Sequence, residues 1–140
     1  MFERWLEALR EVSREREEAA RRLVEELCRK AVAVALFGSR ARGDHTPLSD
    51  WDLLAVVESG EYRVEQSGVG QIVWLPLDKL EDVLGWSMVV LDAVADGKLL
   101  CGDAARFEEL RAAVLDYARR RGLVRRAGGW FREPQRRAES

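Results

Sequence analysis

The chain lacks any apolar run approaching the roughly 20 residues needed to cross a bilayer. It opens on Met-Phe-Glu-Arg instead of an apolar leader. A membrane span is thereby excluded, and the expected location is the cytoplasm. Histidine occurs once, at His45, and cysteine twice, at Cys28 and Cys101. The two cysteines lie far apart in apolar surroundings, without the spacing of a zinc knuckle or a redox motif, and read as buried free thiols. An excess of one charge is missing too: 23 Lys and Arg against 25 Asp and Glu leave a net charge of -2. That balance argues against a surface that wraps nucleic acid. One local basic patch, Arg119-Arg120-Arg121 with Arg125, Arg126 and the tail's Arg132, Arg136 and Arg137, reads as a solvated helix end, where cations are favoured. No internal repeat and no interdomain linker is visible.

What is present is a globular composition, 47% hydrophobic and 34% charged over 140 residues, enough for one core. One domain over residues 1–132 is expected, with a disordered tail over 133–140. From Phe2 to about Cys28, Trp5, Leu6, Leu9, Val12, Ala19, Ala20, Leu23, Val24 and Leu27 recur at helical intervals. The charged middle, Ser13 to Glu18, is either an exposed stretch of one helix or the boundary between two. Ala31 to Phe37, Trp51 to Val57 and Val69 to Leu75 are short continuous apolar runs, the pattern of strands buried on both faces. Pro76-Leu77-Asp78 starts a helix to about Leu84, Trp86 to Ala95 reads as a buried helix closed by Asp96-Gly97, and Lys98 to Cys101 is a short strand. Asp103 caps a last helix, Ala104 to Arg121, which Gly122 stops. Gly128 to Phe131 reads as a final turn. Strands alternating with helices give an α+β or mixed α/β fold.

The informative stretch runs from Leu36 to Leu54. Gly38 directly after a buried strand lets backbone approach a ligand closely, and Ser39 is placed to cap the following turn while its hydroxyl and nearby N–H groups face an anion. Asp50 and Asp52, two apart at the start of a strand, point to one face, with Trp51 and Leu53 on the other. Two neighbouring carboxylates entering a buried strand call for a cation, and hard oxygen ligands suit Mg²⁺ or Mn²⁺.

Gly38-Ser39-Arg40-Ala41-Arg42-Gly43, a short loop, and Ser49-Asp50-Trp51-Asp52-Leu53 together resemble the signature of the minimal nucleotidyltransferases of the DNA polymerase beta superfamily. The resemblance implies the nucleotidyltransferase fold, an α+β fold with a small mixed central sheet flanked by helices. It implies a nucleoside triphosphate, ATP foremost, held by Gly38 and Ser39, with Ser49 beside them. It further implies Mg²⁺ or Mn²⁺ held by Asp50 and Asp52 as the catalytic pair, and transfer of a nucleotidyl group to a protein or small-molecule acceptor. Arg40 and Arg42 either add charge to the phosphates or are solvated residues of a short helix. Small proteins resembling this family are paired with a helical HEPN-type partner, as the antitoxin of a toxin–antitoxin pair, and the helix from Phe2 offers such a contact; self-association is also open.

The sequence departs from that family at one position. A third acidic residue is expected on a later strand, and Val69-Gly70-Gln71-Ile72-Val73-Trp74 carries Gln71 there. An amide oxygen ligates a cation but brings no charge and cannot act as a base. Glu65, in the alternating run Tyr62-Arg63-Val64-Glu65, is the other candidate acid. The alternative to an active enzyme is therefore a degenerate module that binds nucleotide or partner without turnover. His45, in a polar loop before Pro47, reads as a solvated turn residue. The five tryptophans read as core packing, with Trp130 the exception to test.

Overall fold

A single helix, α1 (Phe2–Lys30), opens the chain, and the charged Ser13–Glu18 segment does not interrupt it. The computed structural model describes residues 2–126 and 129–132. Beyond α1 come β1 (Ala33–Phe37), the four-residue α2 (Ser39–Arg42), β2 (Asp52–Val57), β3 (Arg63–Gln66) and β4 (Gln71–Pro76). They are followed by a 3-10 turn (Leu77–Lys79), α3 (Leu80–Leu84), α4 (Met88–Asp96), β5 (Lys98–Gly102), α5 (Ala104–Arg120) and the strands β6 (Leu123–Arg126) and β7 (Gly129–Arg132). Asp103 caps α5, its carboxylate accepting from the Arg106 N–H at 3.1 Å. No helix among the described residues is long and apolar enough to cross a membrane. The tail 133–140 and Gly128 lie outside the described residues.

Five strands form one mixed sheet in the order β3-β4-β2-β1-β5, with β2 and β4 parallel and the other neighbours antiparallel. The central strands read as continuous apolar runs because each face has a partner layer. Ala33, Ala35, Phe37, Leu54, Val56, Val73 and Leu75 face α3, α4 and α5 through Val83, Leu91, Val94, Phe107 and Val114. Val34, Leu53, Ala55 and Ile72 face α1 through Leu23, Val24 and Leu27. The sheet thus carries its motif between two layers, α1 on one side and α3 to α5 on the other.

Three expectations change. Cys28 on α1 and Cys101 on β5 are brought to a Cα–Cα distance of 6.2 Å and form a disulfide, so they are not free thiols. A 73-residue separation hides this pairing from spacing rules. Trp5 and Trp86 are each 60% exposed instead of packed in the core, while Trp51, Trp74 and Trp130 are half-buried. The segment after α5 is a hairpin of β6 on β7, not a turn alone. In it Trp130 packs against the core under the Arg125 guanidinium, 5.6 Å from its ring centroid, whereas Phe131 stays exposed. Three arginines of the basic patch are paired within the chain: Arg119 and Arg120 share Asp116, and Arg125 bridges Asp92 and Asp96.

Candidate functional site

The antiparallel register of β1 and β2 sets Phe37 opposite Asp52. The residue after β1 therefore comes against the first carboxylate of β2. Gly38 takes φ +76°, and a Cβ there would lie 2.4 Å from the Asp52 Oδ2. Only glycine permits both the conformation and the approach. The glycine and not the serine is the N-cap of α2, with Ser39 the first helical residue and no side-chain cap bond. This short turn leaves its leading N–H groups without intrahelical acceptors, beside the carboxylate pair.

The loop into β2 is held by its own polar groups. The Ser49 hydroxyl accepts from the Thr46 N–H at 2.9 Å, and the Ser49 N–H donates back to the Thr46 carbonyl at 3.1 Å. Arg40 donates from Nε to the Ser49 carbonyl and from Nη2 to the Pro47 carbonyl, both at 3.2 Å, and lies 4.1 Å from the Trp51 ring centroid. Its guanidinium is thus a strut of the loop. Arg42 is exposed, 3.4 Å from the Asp44 carboxylate, and its charge reaches Asp52, where it favours the ionised form. Of the two arginines, Arg42 is the one available to a phosphate. His45 stands exposed in the same loop.

Asp52 is held above its ordinary carboxylate value, first by burial and then by the like charge of Asp50, against the neighbouring N–H groups of Gln71 and the Arg42 charge. The parallel register, Leu53 opposite Ile72, brings Gln71 beside Asp52. Gln71 thus stands beside Asp52, its N–H groups favouring the ionised carboxylate, and it adds no charge of its own. Glu65 lies across from Ile72 and accepts from the Trp74 indole N–H at 2.9 Å. That is the α1 face of the sheet, and Asp52 shares the other face with Leu54, so Glu65 does not join the pair. Gly70 packs where a Cβ would meet the Trp51 carbonyl oxygen at 2.2 Å, and the Ser67 hydroxyl ties the same turn to the Gly70 carbonyl at 2.6 Å. Residues from two segments therefore fix the backbone that presents Asp50 and Asp52.

Asp50 is 69% exposed and pairs at 3.3 Å with Arg16 of α1, whose Nη2 also donates to the Val69 carbonyl at 3.3 Å. Sequence reading passed over Arg16 because it sits in an ordinary charged run, and only the fold brings it to the motif. Among the described residues no group of three or more His, Cys, Asp or Glu side chains gathers to cage an ion. Two carboxylates, one of them destabilised in its charged form, suit Mg²⁺, which takes one or two carboxylates and completes its shell from substrate phosphates and water.

The nucleotidyltransferase domain family matches the chain over residues 20–115. The chain belongs to that family. The matched span runs from the sheet-packed half of α1 into α5 and contains Gly38, Asp50, Asp52 and Gln71. No curated protein matches the chain. Among solved structures, this nucleotidyltransferase domain is similar to one described as a toxin–antitoxin with AMP-PNP, at 17% identity and TM-score 0.47 over 69% of this chain and 85% of that one. It is also similar to a mutant of the MntA–HpeT toxin–antitoxin, at 15% identity and TM-score 0.48 over 74% and 87% of the two chains.

The raised Asp52 carboxyl yields a stability prediction. A carboxyl that ionises less readily in the folded state costs nothing while protonated, and destabilises as pH rises above the ordinary value of 3.8. Asp52→Asn is therefore expected to melt about 1–3 °C higher than the parent in metal-free buffer at neutral pH. The difference should close as pH falls into the ordinary carboxylate range. Melting curves at several pH values check this; a variant that melts lower at neutral pH would contradict it.

Proposed function

We propose that this nucleotidyltransferase domain binds a nucleoside triphosphate, ATP foremost, with Mg²⁺ or Mn²⁺ at Asp50 and Asp52, and transfers its nucleotidyl group to a protein or small-molecule acceptor. The observation that carries the reading is Gly38, a glycine whose missing side chain brings the phosphate-type turn against Asp52. A bound divalent ion supplies charge neutralisation and orientation for in-line displacement at phosphorus. The chain's own residues do the rest. Gly38 and Ser39 offer backbone N–H groups to the phosphates, Arg42 offers exposed positive charge, and Gln71 stands beside the Asp52 carboxylate and favours its ionised form. Ser49 and Arg40 hold the loop that carries Asp50 in place. We further read the protein as cytoplasmic, and as the antitoxin of a HEPN-type helical partner docking on α1, where Phe2 is 70% and Trp5 60% exposed.

Gln71 favours a second reading, a module that binds triphosphate without turnover, because no carboxylate stands there to take the acceptor's proton. Calorimetry with ATP and Mg²⁺ run beside a pyrophosphate-release assay separates the two. The proposed enzyme binds and releases pyrophosphate when an acceptor is present. The degenerate module binds and releases none, and Gln71→Asp then recovers release. No binding of any triphosphate would defeat both.

A further inference from the structure

Among the described residues, Arg16 is the one charged side chain outside the motif that bonds a carboxylate of the pair. It reaches the Asp50 Oδ1 from the opposite layer of the fold and lies N-terminal to the family-matched residues. Its side chain is 24% exposed against 69% for Asp50, so the guanidinium is the shielded member and the carboxylate the open one. The bond to the Val69 carbonyl anchors it on the segment leading into β4, beside the Trp51 N–H that donates to the same carbonyl at 2.8 Å. Its Nε is buried with no acceptor, so the group is under-satisfied where it stands.

We propose that Arg16 is the resident counter-ion of Asp50, which a divalent cation must displace to use that carboxylate. The inference rests on the assignment of Asp50 and Asp52 as the cation's ligands. Two like charges entering a sheet require compensation. Asp52 has the neutral N–H groups of Gln71 and the more distant charge of Arg42, whereas Asp50 is in direct contact with a full positive charge from α1. A cation arriving at the Asp50 Oδ1 meets that charge at contact distance, loses affinity by repulsion, and breaks an ion pair as it binds. Arg16 therefore disfavours metal loading by the free protein. It is a positioning residue, acting through Asp50 on the cation.

Electron paramagnetic resonance of Mn²⁺ alone, titrated into the full chain without nucleotide, tests this. Arg16→Gln is expected to bind Mn²⁺ about three- to tenfold more tightly than the parent, the range a partly shielded charge contact supplies. Arg16→Lys, which keeps the charge, is expected to stay near the parent. In an Asp50→Asn background, Arg16→Gln is expected to change nothing, because the pair it breaks is already gone. A purely structural role would not tighten metal binding. Equal or weaker Mn²⁺ affinity in a folded Arg16→Gln protein overturns the proposal. So does a gain that persists without Asp50, or a Lys variant that matches Gln. If neither parent nor variant binds Mn²⁺ even with a non-hydrolysable ATP analogue present, the metal assignment itself falls and carries this inference with it.

Discussion

Asp52→Asn and Asp50→Asn are each expected to lower nucleotidyl transfer by at least about a thousandfold, with the fold intact. Phosphoryl-type transfer leaves the protein little covalent chemistry, so its rate rests on placing the reactants and neutralising charge. In the proposed site two carboxylates serve that task, and Gln71 beside Asp52 is not a third. The measurement is transfer of label from α-labelled triphosphate in Mg²⁺ or Mn²⁺, beside thermal melting of the same preparations. Asparagine at 52 keeps an oxygen facing Gln71, and it removes a carboxyl that burial holds above its ordinary value. That variant should therefore be inactive while melting no lower than its parent in metal-free buffer, which separates loss of chemistry from loss of structure. Asparagine at 50 gives up the Arg16 ion pair at a mostly exposed site, where such pairs contribute about 1 kcal/mol or less. Transfer that survives either substitution would sink the assignment of the pair.

The central strands and the motif were legible because their signals are local. Ala33–Phe37 and Asp52–Val57 are apolar runs punctuated by Gly38 and by the Asp50-Trp51-Asp52 alternation, and a short window of residues contains the whole pattern. The position of Gln71 was legible for the same reason. What escaped depends on residues far apart. Arg16 looks like any solvated arginine of a charged run until α1 packs across the sheet and sets it against Asp50. Glu65 alternates correctly for a strand, but strand period does not say which face of the sheet a residue joins. The register with β4 puts it on the α1 side, bonded to Trp74. Every residue of β3 is exposed, so its strand character comes from pairing with β4 and not from burial. Trp5 and Trp86 fit apolar periodicities, yet each falls where no second layer covers it.

Reduction of the Cys28–Cys101 disulfide is expected to lower the melting temperature by about 6–15 °C, from about 2–4 kcal/mol of lost stability. The bridge joins residues 73 apart, so cutting it frees a long loop in the unfolded chain while the native packing of Leu23, Val24 and Leu27 on the sheet remains. The loss should therefore fall mainly on the unfolded side of the equilibrium, with little change in the folded structure. Cys28→Ser and Cys101→Ser should each reproduce the drop, the double variant should add almost nothing to either, and reductant should leave all three unchanged. Alkylation of the denatured, unreduced protein gives the direct count: no thiol reacts if the bridge is present, and two react if the cysteines are free. Labelling of both cysteines without reductant, or a melting temperature indifferent to reductant, would defeat the pairing. The consequence for the site runs through α1. The bridge fastens the helix to β5 near its C-terminal end, and the same helix carries Arg16 to Asp50. A reduced chain should accordingly lose protection from hydrogen exchange in α1 before the central strands open, because β1 and β2 keep both their ladder bonds and their second packing layer.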